Sequence, residues 1–238
     1  MDAFLDRPVG SLDAAVAFWA SVTGSEPAPQ KDPGFVRLTT AAGDDWLEIQ
    51  GVREGPGGHH PDLWVDDLAA FNGRALSAGA TMLIDHGSWQ TLRSPAGLPF
   101  CTAAWRGQHV RPRPYNGPAG VSLRPHQLCF DLAPSLYDDE VRFWQTVTGW
   151  RLDPGEQEDE FVRLQPEPPI PVRFLVQRLG EERPASAHLD VSCSDIPAAR
   201  SWHESLGATI VGEWPHWTTL RDPAGGVYCL TEGDPAED

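Results

Sequence analysis

The sequence predicts an α+β fold made of two tandem copies of one domain, each reading β-α-β-β-β twice. Three observations predict it. The first is a long internal repeat: Trp89 to Cys101 and Trp217 to Cys229 are identical at eight of thirteen positions. The second is its extent. "VAFWASVTG" (16–24) returns as "VRFWQTVTG" (141–149), "FVRL" (35–38) returns at 161–164, and "HPDLWVDDL" returns as "HLDVSCSDI". Anchors kept in order at nearly constant spacing mark a duplicated domain, and the period is far too long for a solenoid. The third is the alternation of helical and strand periodicity inside each copy.

The elements follow in order. Ala15, Phe18, Trp19 and Val22 lie at i, i+3, i+4 and i+7, one face of a helix, with Ser11 as N-cap and Gly24 as the stop. Ser135 and Gly149 bracket its counterpart, whose apolar face is Val141, Phe143, Trp144 and Val147. Strand-like runs come next: "GFVRLTT", "DWLEIQGV" and "HPDLWV". A second helix starts near Asp67, buries Leu68, Phe71 and Ala75, and stops at Gly79, with a counterpart from about Asp195 to Gly207. Three short strands close the copy, around 80–85, 89–94 and 98–104. The last two are joined by "SPAG", and in the second copy by "DPAG", each suited to a type I turn with Pro second and Gly fourth. The Pro- and Gly-rich stretch between the copies, "GQHVRPRPYNGPAGVSLRP", lacks apolar periodicity and reads as a linker. The expected division is 1–106, linker 107–124, 125–232, and an acidic tail 233–238.

Composition narrows the function. The 238 residues carry a formal charge of -16, and Lys31 is the only lysine. Such a surface repels phosphate backbones, which argues against a nucleic-acid partner. No apolar run reaches the roughly 18 residues of a membrane span. "MDAFLDRPVG" lacks the basic start and apolar segment of a signal peptide, so a cytoplasmic location is expected. Cys101, Cys129, Cys193 and Cys229 show no CxxC spacing and read as free thiols.

In this order and spacing, "AVAFWASVTG", "WLEIQGV", "HPDLWVDDL" and "LRSPAGLPFC", with "EVRFWQTVTG", "HLDVSCSDI" and "LRDPAGGVYC", resemble the vicinal oxygen chelate superfamily. That superfamily includes glyoxalase I, extradiol dioxygenases, and fosfomycin and bleomycin resistance proteins. The flavour is that of tandem glyoxalase-like proteins. The resemblance implies a half-open curved sheet in each domain, formed by two βαβββ units. It also implies a divalent ion held by His and Glu side chains, with open positions for substrate oxygens.

Carried over by the resemblance, the mid-domain His positions are His60 and His188, and the "xLEL" carboxylate is Glu48, replaced by Leu175 in the second copy. The closing-strand Glu falls on Cys101 and Cys229. The first-strand His falls on His126, and in the first copy on Met1, where the strand would begin too late. Whether sites form within or across copies, no combination of these positions gives two His and a carboxylate. Only thiolate ligation completes three ligands, a set known for zinc but foreign to the resemblance. The cysteines read equally as small hydrophobes. Glu48 lies opposite Leu47 and Ile49, facing either the cup or solvent. Asp62 and Asp190 also match across copies, as chemical groups or as anchors of loop amides.

Ten tryptophans are many for this length. Trp19 and Trp144, and Trp89 and Trp217, match across copies and read as packing. Trp46, Trp64 and Trp214 have no matched Trp, and with Glu48, His60, His126, His188 and His216 they make the expected ligand-binding set. An indole offers a flat apolar face and one donor, which suits a planar organic molecule.

The depleted ligand set therefore implies a protein of the glyoxalase and bleomycin-resistance type that binds or sequesters a small, aromatic molecule without a cofactor. The alternative is a metal-dependent lyase, isomerase or dioxygenase with zinc, iron, nickel or manganese on His60, His126, His188 and Glu48. A fused tandem can satisfy within one chain the pairing that single-copy relatives achieve by dimerising, so a monomer with an internal pseudo-dimer is expected.

Overall fold

The computed structural model of the chain describes residues 1–153, 160–167 and 170–237. Asp238, the last residue of the expected tail, lies outside them. The first copy runs β1 (Asp2–Pro8), α1 (Leu12–Thr23), β2 (Glu26–Pro29), β3 (Phe35–Thr39), β4 (Leu47–Val52), β5 (Gly58–Val65), α2 (Leu68–Ser77), β6 (Thr81–Asp85), β7 (Trp89–Arg93) and β8 (Pro99–Ala104). The linker contributes the short β9 (Tyr115–Asn116). The second copy repeats the pattern: β10 (Ser122–Leu132), α3 (Pro134–Thr148), β11 (Arg151–Asp153), β12 (Phe161–Gln165), β13 (Arg173–Arg178), β14 (Ser186–Cys193), α4 (Ile196–Ser205), β15 (Thr209–Glu213), β16 (Trp217–Arg221) and β17 (Val227–Glu232).

The strands form two open sheets, as the sequence predicts. Their orders are β2-β3-β4-β1-β5-β8-β7-β6 and β11-β12-β13-β10-β14-β17-β16-β15, with β9 beside β10. Two strands were not legible. β1 begins already at Asp2, and β2 reads "EPAP". Proline cannot donate to a central ladder, which hides such a strand from propensity. β2 is an edge strand, where a missing donor is tolerated.

The helices follow the expected faces. Ala15, Phe18, Trp19 and Val22 are buried in α1, and Gly24 ends it in the left-handed region at φ 63°. Asp67 and Asp195 cap α2 and α4, accepting from the amides of Ala70 and Ala198 at 2.9 Å. Ser135 is not the cap expected of it. The helix α3 starts two residues earlier, with Ala133 as N-cap and Pro134 in the first turn. Proline fits there because its missing N–H would have no helical partner anyway. The Ser135 hydroxyl instead donates to Glu182 at 2.6 Å. The closing turns form as predicted: the Gly97 amide donates to Ser94 O and the Gly225 amide to Asp222 O, both at 2.9 Å.

By compactness the chain divides into two units that draw on both copies. One holds Met1–Asp2, His60–His109 and Leu128–Ala187; the other holds Ala3–His59, Val110–Gln127 and His188–Asp238. In the first, Phe100 of β8 packs against Phe143 and Trp144 of α3, with ring centroids 5.9 and 5.2 Å apart. In the second, Phe18 and Trp19 of α1 meet Tyr228 of β17 at 5.8 and 5.1 Å. Each core thus sets a helix from one copy on strands from the other. Burial of such rings is the main apolar contribution to stability.

Both tryptophans also donate to a buried carboxylate, supplied differently in the two units. Trp19 Nε1 donates to Asp222 of the "DPAG" turn at 2.9 Å. Trp144 Nε1 donates at 2.8 Å to Glu140 on its own helix, and Glu140 in turn accepts from the amide of Ala96 in the "SPAG" turn at 2.9 Å.

Candidate functional site

Strand alternation builds the site. On β5, Leu63 is buried toward the core, so His60, Asp62 and Trp64 share the opposite face. β8 lies parallel to β5 in a register that sets Cys101 beside Asp62 and Ala103 beside Trp64. β7 then sets Thr91 beside Cys101 and Trp89 beside Ala103. Two rows cross three strands: Asp62, Cys101, Thr91, and next to it Trp64, Ala103, Trp89. His60 stands one step before the first row.

The first row is a polar cluster. His60 Nε2 lies 3.5 Å from an Asp62 carboxylate oxygen, and Cys101 Sγ lies 3.7 Å from the Thr91 hydroxyl. Ligand atoms of His60, Asp62 and Cys101 fall within 4.8 Å of one another. Burial pushes the Cys101 thiol upward, against the opposing hydrogen bond from His60, so this sulfur is held as a neutral thiol.

The second copy repeats the cluster. His188 Nε2 is 3.2 Å from Asp190, and Asp190 pairs in register with Cys229. Cys229 Sγ is 3.2 Å from Thr219 Oγ1. His188, Asp190 and Cys229 again offer ligand atoms within 4.8 Å. Gln127 adds a 2.6 Å hydrogen bond to the other Asp190 oxygen. The adjoining row differs: Ser192, Thr231 and Trp217 stand where the first copy has Trp64, Ala103 and Trp89.

The other expected residues are placed as follows. Glu48 on β4 is buried, and its Oε1 accepts from Arg37 on the neighbouring β3, at 3.0 Å from Nε and 2.5 Å from Nη2. Phe4 is its neighbour on β1, so an apolar ring stands next to that carboxylate. Trp46 is buried just before β4, its carbonyl accepting from the Ala3 amide at 2.7 Å. His126 is buried on β10, with Nε2 3.2 Å from the Thr231 hydroxyl. Among the described residues neither Glu48 nor His126 joins a group of three metal-capable ligands. Trp214 is exposed and stacks on Trp217, with centroids 5.5 Å apart. Gly212 gives that indole its space, since a Cβ there would lie 2.4 Å from the ring. His216 is exposed and pairs with Glu232 at 3.1 Å.

Sequence reasoning left Asp62 and Asp190 undecided, and the structure makes them central to the clusters. The signal was present: His-x-Asp occurs at the same repeat position twice, and i, i+2 spacing on a strand puts both side chains on one face. None of the four cysteines forms a disulfide, as expected, and all four are buried. No helix among the described residues is long and apolar enough to cross a membrane.

The family profile described as Glyoxalase-like domain matches residues 2–103 and again 127–231. Comparison with curated proteins returns no match. Among solved structures, the chain is similar to the Mn(II)-bound glyoxalase from Novosphingobium aromaticivorans, with TM-score 0.67 and 17% identity over 97% of this chain and 80% of that one. It is also similar to a 2,3-dioxygenase from Pseudomonas sp. KL28, with TM-score 0.66 and 15% identity over 98% and 91%. A third likeness is to 2,2',3-trihydroxybiphenyl 1,2-dioxygenase from Sphingomonas wittichii, with TM-score 0.64 and 14% identity over 98% and 89%. At these identities the likeness is one of fold. With its two profile matches and its two open sheets, the chain belongs to the glyoxalase-like domain family of the vicinal oxygen chelate superfamily, and it carries the domain twice.

Proposed function

We propose that the protein binds a small organic molecule on the His-Asp-Cys faces of its sheets, without the divalent ion of its metal-dependent relatives. The observation that carries this reading is how the polar groups are already engaged. The imidazole of His60 lies on the Asp62 carboxylate, the Cys101 sulfur on the Thr91 hydroxyl, and the Glu48 carboxylate on Arg37. Two half-buried indoles line the neighbouring row. A guanidinium fixed on Glu48 competes with a cation for the one glutamate that the family pattern supplies. Burial that keeps the Cys101 thiol neutral opposes its use as a thiolate ligand.

A second reading has its own support. One imidazole nitrogen, one carboxylate oxygen and one sulfur within 4.8 Å make a donor set that fits zinc in kind, in both copies. In that reading His60, Asp62 and Cys101, or His188, Asp190 and Cys229, hold the ion, and it supplies Lewis acidity to a metal-dependent lyase, isomerase or dioxygenase. The two readings separate by elemental analysis of protein purified without a His tag or added metal. We expect metal well below one ion per chain, unchanged by His60→Ala or His188→Ala. Stoichiometric metal that either substitution removes would establish the second reading.

We also propose a monomer, since each compact unit already combines halves of both copies. Sedimentation should give the mass of one chain, 26.0 kDa, and an obligate dimer would refute it.

A further inference from the structure

We infer that the two faces are not equivalent, and that the first copy takes a planar aromatic anion through Trp64, Trp89 and Arg106. The inference rests on the binding reading above and specifies the class of ligand and the copy that holds it.

The row Trp64, Ala103, Trp89 places an indole on each side of a residue no larger than a methyl group. With strands roughly 4.8 Å apart, the two tryptophan backbones stand about 10 Å from each other. Ala103 is itself buried, so a ligand meets the two half-buried indoles and not the alanine. Trp89 is backed by His86, stacked at 3.6 Å and 10°. That contact fixes the ring in a single orientation, which lowers the ordering cost of binding. At the other end, the exposed Arg106 guanidinium lies 4.6 Å from the centroid of the Trp64 ring. The Trp64 indole N–H is buried and finds no acceptor among the described residues. This end of the row therefore offers a cation on an aromatic platform. A flat ring carrying a carboxylate or phenolate matches both features: its ring meets the indoles and its oxygens meet Arg106.

The second copy keeps one backed indole, Trp217 stacked on Trp214, and lacks the rest. The positions 128 residues on are Ser192 for Trp64, Thr231 for Ala103 and Asp234 for Arg106, while Trp217 alone is kept for Trp89. Thr231 is moreover tied to His126. One indole wall is gone, and a carboxylate stands where the first copy has a guanidinium.

The test is calorimetric titration of the full chain with 1-naphthoate and with its neutral counterpart 1-naphthamide. We expect naphthoate to bind at least tenfold more tightly at low salt, with the preference shrinking as salt rises. Arg106→Gln should abolish that preference, with unchanged thermal unfolding, since Arg106 is exposed. Trp64→Leu should weaken both probes, and Trp217→Leu neither. Equal binding of the two probes, or a preference that survives Arg106→Gln, overturns the charge selection and leaves the binding reading intact. Loss of binding in Trp217→Leu with none in Trp64→Leu overturns the assignment to the first copy. If neither probe binds, the aromatic assignment falls, while the binding reading stands or falls on the elemental analysis.

Discussion

Replacing Asp222 by alanine is expected to cost about 3–5 kcal/mol, the cost of leaving a buried charge without its partner. Arg7 and Asp222 are both fully buried side chains, with Arg7 Nη2 and Nε each 2.8 Å from Asp222 Oδ2. The remaining guanidinium donors are engaged by Asp6 O and Gly58 O at 2.8 and 2.9 Å, and His59 Nε2 lies 3.1 Å away. The other carboxylate oxygen accepts from the amides of Ala224 and Gly226, both at 2.9 Å. Asp222→Ala therefore removes the acceptor of Trp19, of Arg7 and of its own turn at once. Urea unfolding should show the loss as a lower midpoint with little change in slope. Arg7→Met combined with Asp222→Asn should recover most of it, because the charge is gone and an amide oxygen still faces Trp19. A parent-like midpoint for Asp222→Ala would sink the account. Gly226 belongs to the same arrangement: a Cβ there would lie 2.0 Å from Arg7 Cζ, so the turn needs glycine to admit the guanidinium.

The corresponding turn of the first copy behaves differently. Ser94 stands where Asp222 stands in the repeat, and the carboxylate comes from Glu140 on α3. Among the described residues no arginine pairs with Glu140, and burial raises its pKa. Ser94→Ala removes a hydroxyl that accepts from the Leu98 amide at 3.1 Å, a loss of about 1 kcal/mol by comparison.

This difference shows what the sequence could and could not reveal. The repeat itself, the helix faces, the Asp caps and the closing turns were legible, because each is set by local periodicity or by a turn residue. "SPAG" and "DPAG" looked like free variation within one turn. The reason for it lies across the chain: the helix that packs on each turn comes from the other copy, and exactly one of helix and turn supplies the carboxylate. The cross-copy composition of each compact unit has no local signature, so this compensation could not be read in advance. The site divides in the same way. The His-x-Asp spacing on β5 and β14 was visible, and so was the replacement of a family glutamate by cysteine. The engagement of Glu48 was not, since Arg37 reaches it through a cross-strand pairing eleven residues away. Trp64 could be singled out as unmatched, but its partner Arg106 lies beyond the last strand.

Acid should weaken the second compact unit through His203. This imidazole is fully buried on α4, between Phe18 and Trp202, with Nδ1 2.8 Å from the Tyr228 hydroxyl. Burial without a charged partner lowers its pKa to about 4, while the Tyr228 hydroxyl is pushed upward by the same burial. The folded value lies below the unfolded value of 6.5, so between these pH values the unfolded chain binds the extra proton. The stabilisation is complete above pH 6.5, falls as pH drops toward 4, and amounts to about 3 kcal/mol when lost in full. Glu140 works in the opposite sense, since a raised carboxyl pKa favours the folded chain at low pH. Its effect is common to the parent and to a His203 variant, so a comparison of the two cancels it. His203→Gln keeps a polar group for Tyr228 and cannot titrate. Urea unfolding at pH 7 and at pH 4.5 should therefore show the parent losing more stability than His203→Gln, by roughly 2 kcal/mol over that interval. Parallel pH dependence of the two proteins would mean that His203 takes up its proton as readily in the folded chain as in the unfolded one, and that burial does not hold its imidazole neutral.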